Sequence, residues 1–274
     1  MSGSALPPLA TGRGAQSAKE VVRELKQKGA LCLPSFFDAQ SVKEMRAEAD
    51  ALLTEQIEGV NSLDPHPSGR MVWVTPQVFN ERRFARLGEA FTSAFCREIA
   101  ASYEPRCKFF RGAMITHDYK PCKITDIHFD ASPALKFMVY LTDVDKDSAA
   151  FRYCLGSHRQ NRKLRNRYLL MGGQLKDIPN IPGPAEQIAL TDLEGPAGTL
   201  ILFDTDGFHS AGSLKQGRER LLIRATTFRR DWYHSRVFQN AKIRNPLRIF
   251  VPLVVPKGRQ ATRGYTRATT HPDL

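Results

Sequence analysis

The chain has 274 residues, of which 42% are hydrophobic and 25% charged, a balance that supports one sizeable core and excludes wholesale disorder. No run of about 18 apolar residues occurs, so a membrane-spanning helix is excluded, and the opening Met1 to Gly14 lacks the apolar core of a signal peptide, which places the expected location in the cytoplasm. Forty Lys and Arg against 28 Asp and Glu give +12, which leaves acidic small molecules, anionic surfaces and nucleic acid to be weighed as partners.

Residues 1–14 are rich in Gly, Ser and Pro and are expected to be flexible. From Gln16 to Lys28, Val21, Val22 and Leu25 fall at helical spacing, and Gly29 stops the helix. Leu31 to Pro34 reads as a short strand. Asp38 then caps a second helix, with Val42, Met45, Ala49 and Leu52 on one face, running to about Ile57. Asn61 to Gly69, with two prolines, reads as a loop, Met71 to Val74 as a strand, and Arg82 to Ser102 as a third helix. From Cys107 the texture changes to short β-branched and aromatic segments at 107–116, 124–129, 135–142, 151–154, 198–203 and 220–228, separated by Gly, Pro and Asp-rich turns. Helices followed by strands, without βαβ alternation, predict a mainly β fold with N-terminal helices: a β-barrel or double-sheet jelly roll of the cupin-like kind. One domain is expected over 15–274, with a helical buttress over about 15–105, a β core over about 106–230 and a basic C-terminal extension over about 231–274.

Cys32, Cys96, Cys107, Cys122 and Cys154 are odd in number and form no C-x-x-C pair, so they read as reduced thiols rather than a disulfide framework or a zinc site. Residues 159–167 carry Arg159, Arg162, Lys163, Arg165 and Arg167 with no acid. This run lies in a long insertion, 158–195, and reads first as a solvated loop. The competing reading is a basic rim that steers an anionic substrate.

The chemistry gathers in the β half. His128-Phe129-Asp130 ends a strand-like segment, and side chains two apart on a strand share a face. The signal is weak by itself, and a satisfied His–Asp hydrogen bond is its plain alternative. A second apolar strand, from Gly198, delivers His209 at a Gly-containing turn. Two histidines and one carboxylate with open positions suit non-haem Fe(II), and a zinc hydrolase with the same set is the metal-based alternative. Arg220, eleven residues after His209, discriminates, because an oxygenase using 2-oxoglutarate must neutralise the remote carboxylate of that cosubstrate. Arg218 competes for the role but lies at the turn. Lys136 shares a strand face with Met138 and Tyr140 and reads as a second contact to cosubstrate or acidic substrate. Arg224, pointing into the barrel, would need an anion from substrate or from Asp204. His158 reads as a loop-fixing residue and His66 and His117 as structural or exposed. Asp143, Asp145 and Asp147 lack the Gly and Glu of a calcium loop and read as a solvated turn.

The order His128-x-Asp130, Phe137-Met-Val-Tyr-Leu-Thr-Asp-Val144, Cys154-Leu-Gly-Ser-His158, then His209 and Arg220, resembles the phytanoyl-CoA dioxygenase family over most of the chain. Gly29-Ala-Leu-Cys-Leu-Pro-Ser-Phe-Phe37 is similar to its entry strand, and Tyr119-Lys120-Pro121 to the turn before its metal strand. The resemblance implies a double-stranded β-helix with His128, Asp130 and His209 as catalytic iron ligands and Arg220 as the 2-oxoglutarate clamp. The chain departs from the family's pattern at Leu155, Ala149 and Ala211. At Ala211 a hydroxyl residue usually assists the clamp, so Ser210, Ser213 or Thr226 is expected to substitute. Asp130 fills the position that a halogenase leaves small, which favours hydroxylation or desaturation. The expected activity is oxidation of an aliphatic C–H by Fe(II), 2-oxoglutarate and O2. The expected substrate is a small metabolite, anionic or carrier-linked, of the natural-product or saccharide kind, met by Arg224 and Tyr119 and selected by the N-terminal helices, the loop 61–80 and the insertion 158–195. A nucleic-acid- or protein-directed oxygenase and a non-catalytic metal-binding barrel are the alternatives; nucleic acid is disfavoured because aromatic residues do not interleave with the basic clusters. A monomer or homodimer is expected.

Overall fold

The computed structural model describes residues 17–104, 107–108, 112–130, 133–170 and 188–229. The expected flexible N-terminus 1–14, the basic extension 231–274 and residues 171–187 of the insertion lie outside the described residues.

Helix α1 (Ala18–Lys28) begins at a capping box, in which Ser17 and Glu20 satisfy each other's backbone N–H. It ends at Gly29, whose φ of 82° is the left-handed conformation that glycine adopts without strain. Strand β1 (Ala30–Leu33) and helix α2 (Ala39–Thr54), capped by the Asp38 carboxylate at 2.7 Å from Ser41 N–H, follow the sequence reading closely. The expected third helix is broken. A 3₁₀ turn at Arg82–Phe84 leads into α3 (Ala85–Thr92), and α4 (Ala94–Tyr103) starts afresh at Ser93, whose extended backbone (ψ 153°) and capping hydroxyl interrupt the i→i−4 ladder. Apolar periodicity runs through such a break, because α1 packs on α4 and α2 on α3 and the same core takes both halves.

The strands β2 (Val60–Ser62), β3 (Gly69–Val74), β4 (Cys107–Lys108), β5 (Ala113–Asp118), β6 (Cys122–Lys123), β7 (Leu135–Tyr140), β8 (Phe151–Tyr153), β9 (Thr191–Leu193), β10 (Leu200–Asp204), β11 (His209–Ala211), β12 (Ser213–Leu214), β13 (Arg220–Thr226) and β14 (Phe228–Arg229) complete the chain. Seven form an antiparallel major sheet in the order β1-β10-β7-β13-β5-β3-β2. The facing minor sheet is β11-β8-β9, and β12–β6 and β14–β4 form separate two-stranded pairs. Alternation divides the major sheet's residues between two cores. Phe137, Val139, Leu200, Leu202, Leu221 and Ile223 face the helices. Met138, Tyr140, Ile201, Phe203 and Leu222 pack with Phe151 and Tyr153 between the sheets. Each fully buried Leu or Phe contributes about 1.5–3 kcal/mol relative to exposure, and truncating a fully buried residue such as Leu25 to Ala would cost about 2–5 kcal/mol.

Two sequence expectations change here. Residues 124–129 are not a continuous strand, since the Thr125 hydroxyl accepts the Ala211 N–H at 2.7 Å in place of a ladder carbonyl, and pairing resumes only at a His128–His209 bridge. The insertion opens not as a loop but as helix α5 (Ser157–Leu170). His158 is buried there and meets the Lys26 carbonyl at 3.2 Å, fixing the loop as expected.

Candidate active site

His128 and His209 are placed by backbone. His128 N–H donates to His209 O at 3.0 Å and His209 N–H donates to His128 O at 2.8 Å, an antiparallel pair that brings the rings to 4.4 Å between centroids. Each Nδ1 lies 2.8 Å from a carbonyl, that of Asp126 for His128 and that of Gly207 for His209. In the neutral imidazole a ring nitrogen facing a carbonyl carries the proton, and in that form each Nε2 presents a lone pair. Asp130, tied by its N–H to the Thr205 carbonyl at 3.0 Å, puts Oδ1 3.6 Å from both Nε2 atoms. The three ligand atoms lie within 4.8 Å of one another. Three electron-pair donors aimed at one point repel each other unless a cation lies between them, so the set fits a divalent transition metal with its remaining coordination positions open.

The surroundings sharpen that donor set. Asp130 Oδ2 accepts from Lys136 Nζ at 2.5 Å. Burial pushes the Asp130 carboxyl up, but Lys136 and then His209 outweigh it and hold it well below the usual carboxylate range. Burial first, and then the neighbouring His209, lower His128, which favours the neutral ligand form. Phe203 and Phe151 close on the His209 ring at 5.4 and 5.7 Å between centroids. Gly207 has no substitute at its position, because a Cβ there would fall 1.9 Å from the Tyr153 hydroxyl oxygen.

The remaining sequence candidates separate. Lys136, expected on the cosubstrate, is engaged with Asp130. Thr226 stands opposite it in register on β13. Arg220 is buried on the same inward face, and its Nε and Nη2 donate to Asp118 Oδ2 at 3.0 and 2.8 Å while Nη1 donates to the Ala149 carbonyl at 2.5 Å. Asp118, fully buried and also bonded by the Ser68 hydroxyl, gave no sign of this role in the sequence beyond ending a strand. Ala149, one of the positions where the chain departs from the family's pattern, occupies a left-handed conformation (φ 59°) that glycine adopts without strain. Arg218 pairs with Asp145 at the surface, and Asp145 caps its own turn through the Ser148 N–H and hydroxyl, as a solvated turn should.

Tyr119 is not brought to the metal-ligand end. It is exposed, just beyond the Asp118–Arg220 pair, and its ring meets His117 at 5.2 Å between centroids and the Lys120 ammonium at 5.9 Å. The basic run is also corrected. Arg162 donates to Asp204 at 2.6 Å and to Asp206 at 2.8 Å, Arg165 pairs with Asp206 in a fully buried contact, and Arg159 donates to the Lys26 carbonyl. Asp204 is thus engaged by α5 and by the Tyr103 hydroxyl at 2.5 Å, and is no partner for Arg224. A charge count finds five cations without acids in 159–167, because the acids that answer two of them lie forty residues on, in the turn before His209.

Two antiparallel sheets packed on each other, with His209 starting a strand of the smaller one, define the double-stranded β-helix fold. The chain is similar to the non-heme alpha ketoglutarate dependent carbocyclase SnoK from nogalamycin biosynthesis (TM-score 0.59, 17% identity, covering 83% of this chain and 94% of that one). It is also similar to the epimerase SnoN in complex with Fe3+, alpha ketoglutarate and nogalamycin RO (0.58, 21%, 77% and 83%) and to EctD from S. alaskensis with bound Fe (0.56, 14%, 81% and 81%). At these identities the likeness is one of fold. No protein-family model and no curated protein matches the sequence.

Proposed function

We propose that the protein is an Fe(II)- and 2-oxoglutarate-dependent dioxygenase that hydroxylates or desaturates an aliphatic C–H of a small metabolite. The observation that carries the reading is the convergence of two Nε2 lone pairs and one carboxylate oxygen, each fixed by its own hydrogen bond, at the rim of a double-stranded β-helix. The similar structures support it, since that of SnoN is a complex with Fe3+ and alpha ketoglutarate and that of EctD has bound Fe. In this reading His128, Asp130 and His209 hold the iron, which with 2-oxoglutarate and O2 supplies the oxidising chemistry.

The chain's own residues then orient and shield. The Asp126 and Gly207 carbonyls fix the ligand tautomers. Lys136 takes the second oxygen of Asp130, leaving Oδ1 for the metal. Phe151 and Phe203 exclude water from the His209 side. Arg220 has five N–H groups and donates three, so one on Nη1 and one on Nη2 stay available for the remote carboxylate of 2-oxoglutarate, with Asp118 fixing the plane of the guanidinium. Anaerobic addition of Fe(II) and 2-oxoglutarate should produce a weak visible charge-transfer band, and Asp130→Ala should abolish it. A band of undiminished intensity in that variant removes Asp130 from the ligand set, and failure to form succinate from 2-oxoglutarate under O2 with any of a pooled metabolite set leaves a metal-binding barrel.

A further inference from the structure

Three cationic side chains enter the space between the sheets from the major sheet: Lys136 on β7 and Arg220 and Arg224 on β13. Among the described residues two carboxylates answer them. Asp130 takes Lys136 and Asp118 takes Arg220. Among the described residues Arg224 has no carboxylate within ion-pair distance, and its Nη2 donates to the Met114 sulfur at 3.2 Å, a weak acceptor. Burial lowers its pKa, with the fields of Asp130 and then Asp118 opposing this and that of Arg220 adding to it. A guanidinium does not shed its proton in a protein, so an interior arginine without an anion is a standing cost unless an anion arrives from outside.

Access is visible in the burial pattern. Leu222 and Ala225 on β13 are buried, whereas Arg224 and Thr226 are partly exposed, as are Lys136, Asp130 and His128. Partial exposure on inward positions marks the open end, and Arg224 lies on it. In β3, Val72 and Val74 pack with the helices, so Trp73 between them faces the other way, in register with Met114, which in turn stands in register with Arg224 one strand further on. Trp73 is held there by Gly112, where a Cβ would come within 2.9 Å of its ring. Arg224 lies four residues, about 13 Å, along β13 from Arg220, too far for one small carboxylate to be shared by the two guanidinium groups as placed.

We propose that Arg224 receives a carboxylate, sulfonate or phosphate of the primary substrate, whose adjoining apolar portion lies against Trp73 and Met114. The inference rests on the oxygenase reading and deepens it by giving the substrate class: an anionic metabolite with an apolar flank. Lys136 is taken by Asp130 and Arg220 is answered by Asp118, so among the described residues Arg224 is the inward cation left for an incoming anion.

The test uses the intact protein with Fe(II) and saturating 2-oxoglutarate under argon, titrated calorimetrically with acetate, methanesulfonate and inorganic phosphate as probes. At least one probe should bind, Arg224→Met should weaken it at least 10-fold, the loss expected on removing a charged hydrogen bond, and Arg224→Lys should retain part of it. The 2-oxoglutarate affinity, read from the charge-transfer band, should stay within about 3-fold in both variants. Arg224→Met should also raise the melting temperature of the ligand-free protein by about 2–4 °C, because an unanswered interior charge has been removed. The proposal is overturned if no probe binds the wild type, if probe binding is unchanged in Arg224→Met, or if the melting temperature falls, which would mark a structural role. It is equally overturned if 2-oxoglutarate binding drops 10-fold while the probes are unaffected, which would give Arg224 to the cosubstrate. A wild type with no charge-transfer band refutes the oxygenase reading instead, and the probe titration still reports separately on Arg224.

Discussion

Arg165 and Asp206 form an ion pair between α5 and the turn that ends in His209, with side-chain exposures of 1% and 0%. Arg165→Met removes one partner and leaves the Asp206 carboxylate with Arg162, whose side chain is 37% exposed. Breaking a buried pair from one side costs about 3–5 kcal/mol; the surviving Arg162 contact, with Nε at 2.8 Å, places this case near about 3 kcal/mol. For a domain of this size 1 kcal/mol moves the midpoint by about 2–4 °C, so thermal unfolding followed by circular dichroism should show a drop of about 6–12 °C. Lys163→Ser, on the exposed face of the same helix, should stay within about 0.5 kcal/mol. Asp206 precedes His209 by three residues, so Arg165→Met should also weaken Fe(II) binding, and Lys163→Ser should not. Equal and small melting shifts in the two variants would refute the reasoning and return the run to a solvated surface.

Arg220→Ala should raise the apparent 2-oxoglutarate dissociation constant at least 10-fold, the counterpart of about 1.5–3 kcal/mol, and Arg218→Ala, which loses only an exposed pair with Asp145, should change it less than about 3-fold; reversal of the two effects moves the clamp. Ala149→Gly relieves a left-handed alanine and should be neutral to stabilising by about 1 kcal/mol in urea unfolding, whereas a loss would show that the Ala149 methyl packs usefully. Burial raises the Glu48 carboxyl to about 7 even though it accepts the Leu87 and Arg86 N–H groups. The folded protein therefore binds more protons than the unfolded chain between about pH 4.5 and 7, stability should fall across that window as pH rises, and Glu48→Gln should remove that part of the slope.

The elements set by strong local chemistry were legible: the capped α1 and α2, the apolar β7 and β10, and the long alternating β13. Strands of two or three residues, β6, β9, β11 and β12, were not, because so short a segment has no period and is held by partners distant in sequence. The convergence of His128, Asp130 and His209 could be read because two positions on one extended segment and one strand-starting histidine leave few geometries. The pairings of the basic residues could not. Arg220 meets Asp118, and Arg162 and Arg165 meet Asp204 and Asp206, through contacts 41 to 102 residues apart. Charge runs along the chain say nothing of what the other sheet will offer. Lys136 shows the same limit: its face was legible, its partner was not.

The reciprocal backbone bonds between His128 and His209 make the site a clasp rather than a pair of arms. Its aperture is set by the spacing of two hydrogen-bonded strands, which loops elsewhere cannot alter. The chain from Asp130 to His209 leaves the clasp and returns to it, so α5 and the segment after it can be lengthened, shortened or rewritten without moving either ligand. A single insertion between Thr205 and His209 has the opposite consequence: a slip of one residue turns the imidazole to the other face of the strand and unfastens the site while the barrel stays closed. The same clasp thus tolerates change in its long connection and none in the length of one short turn.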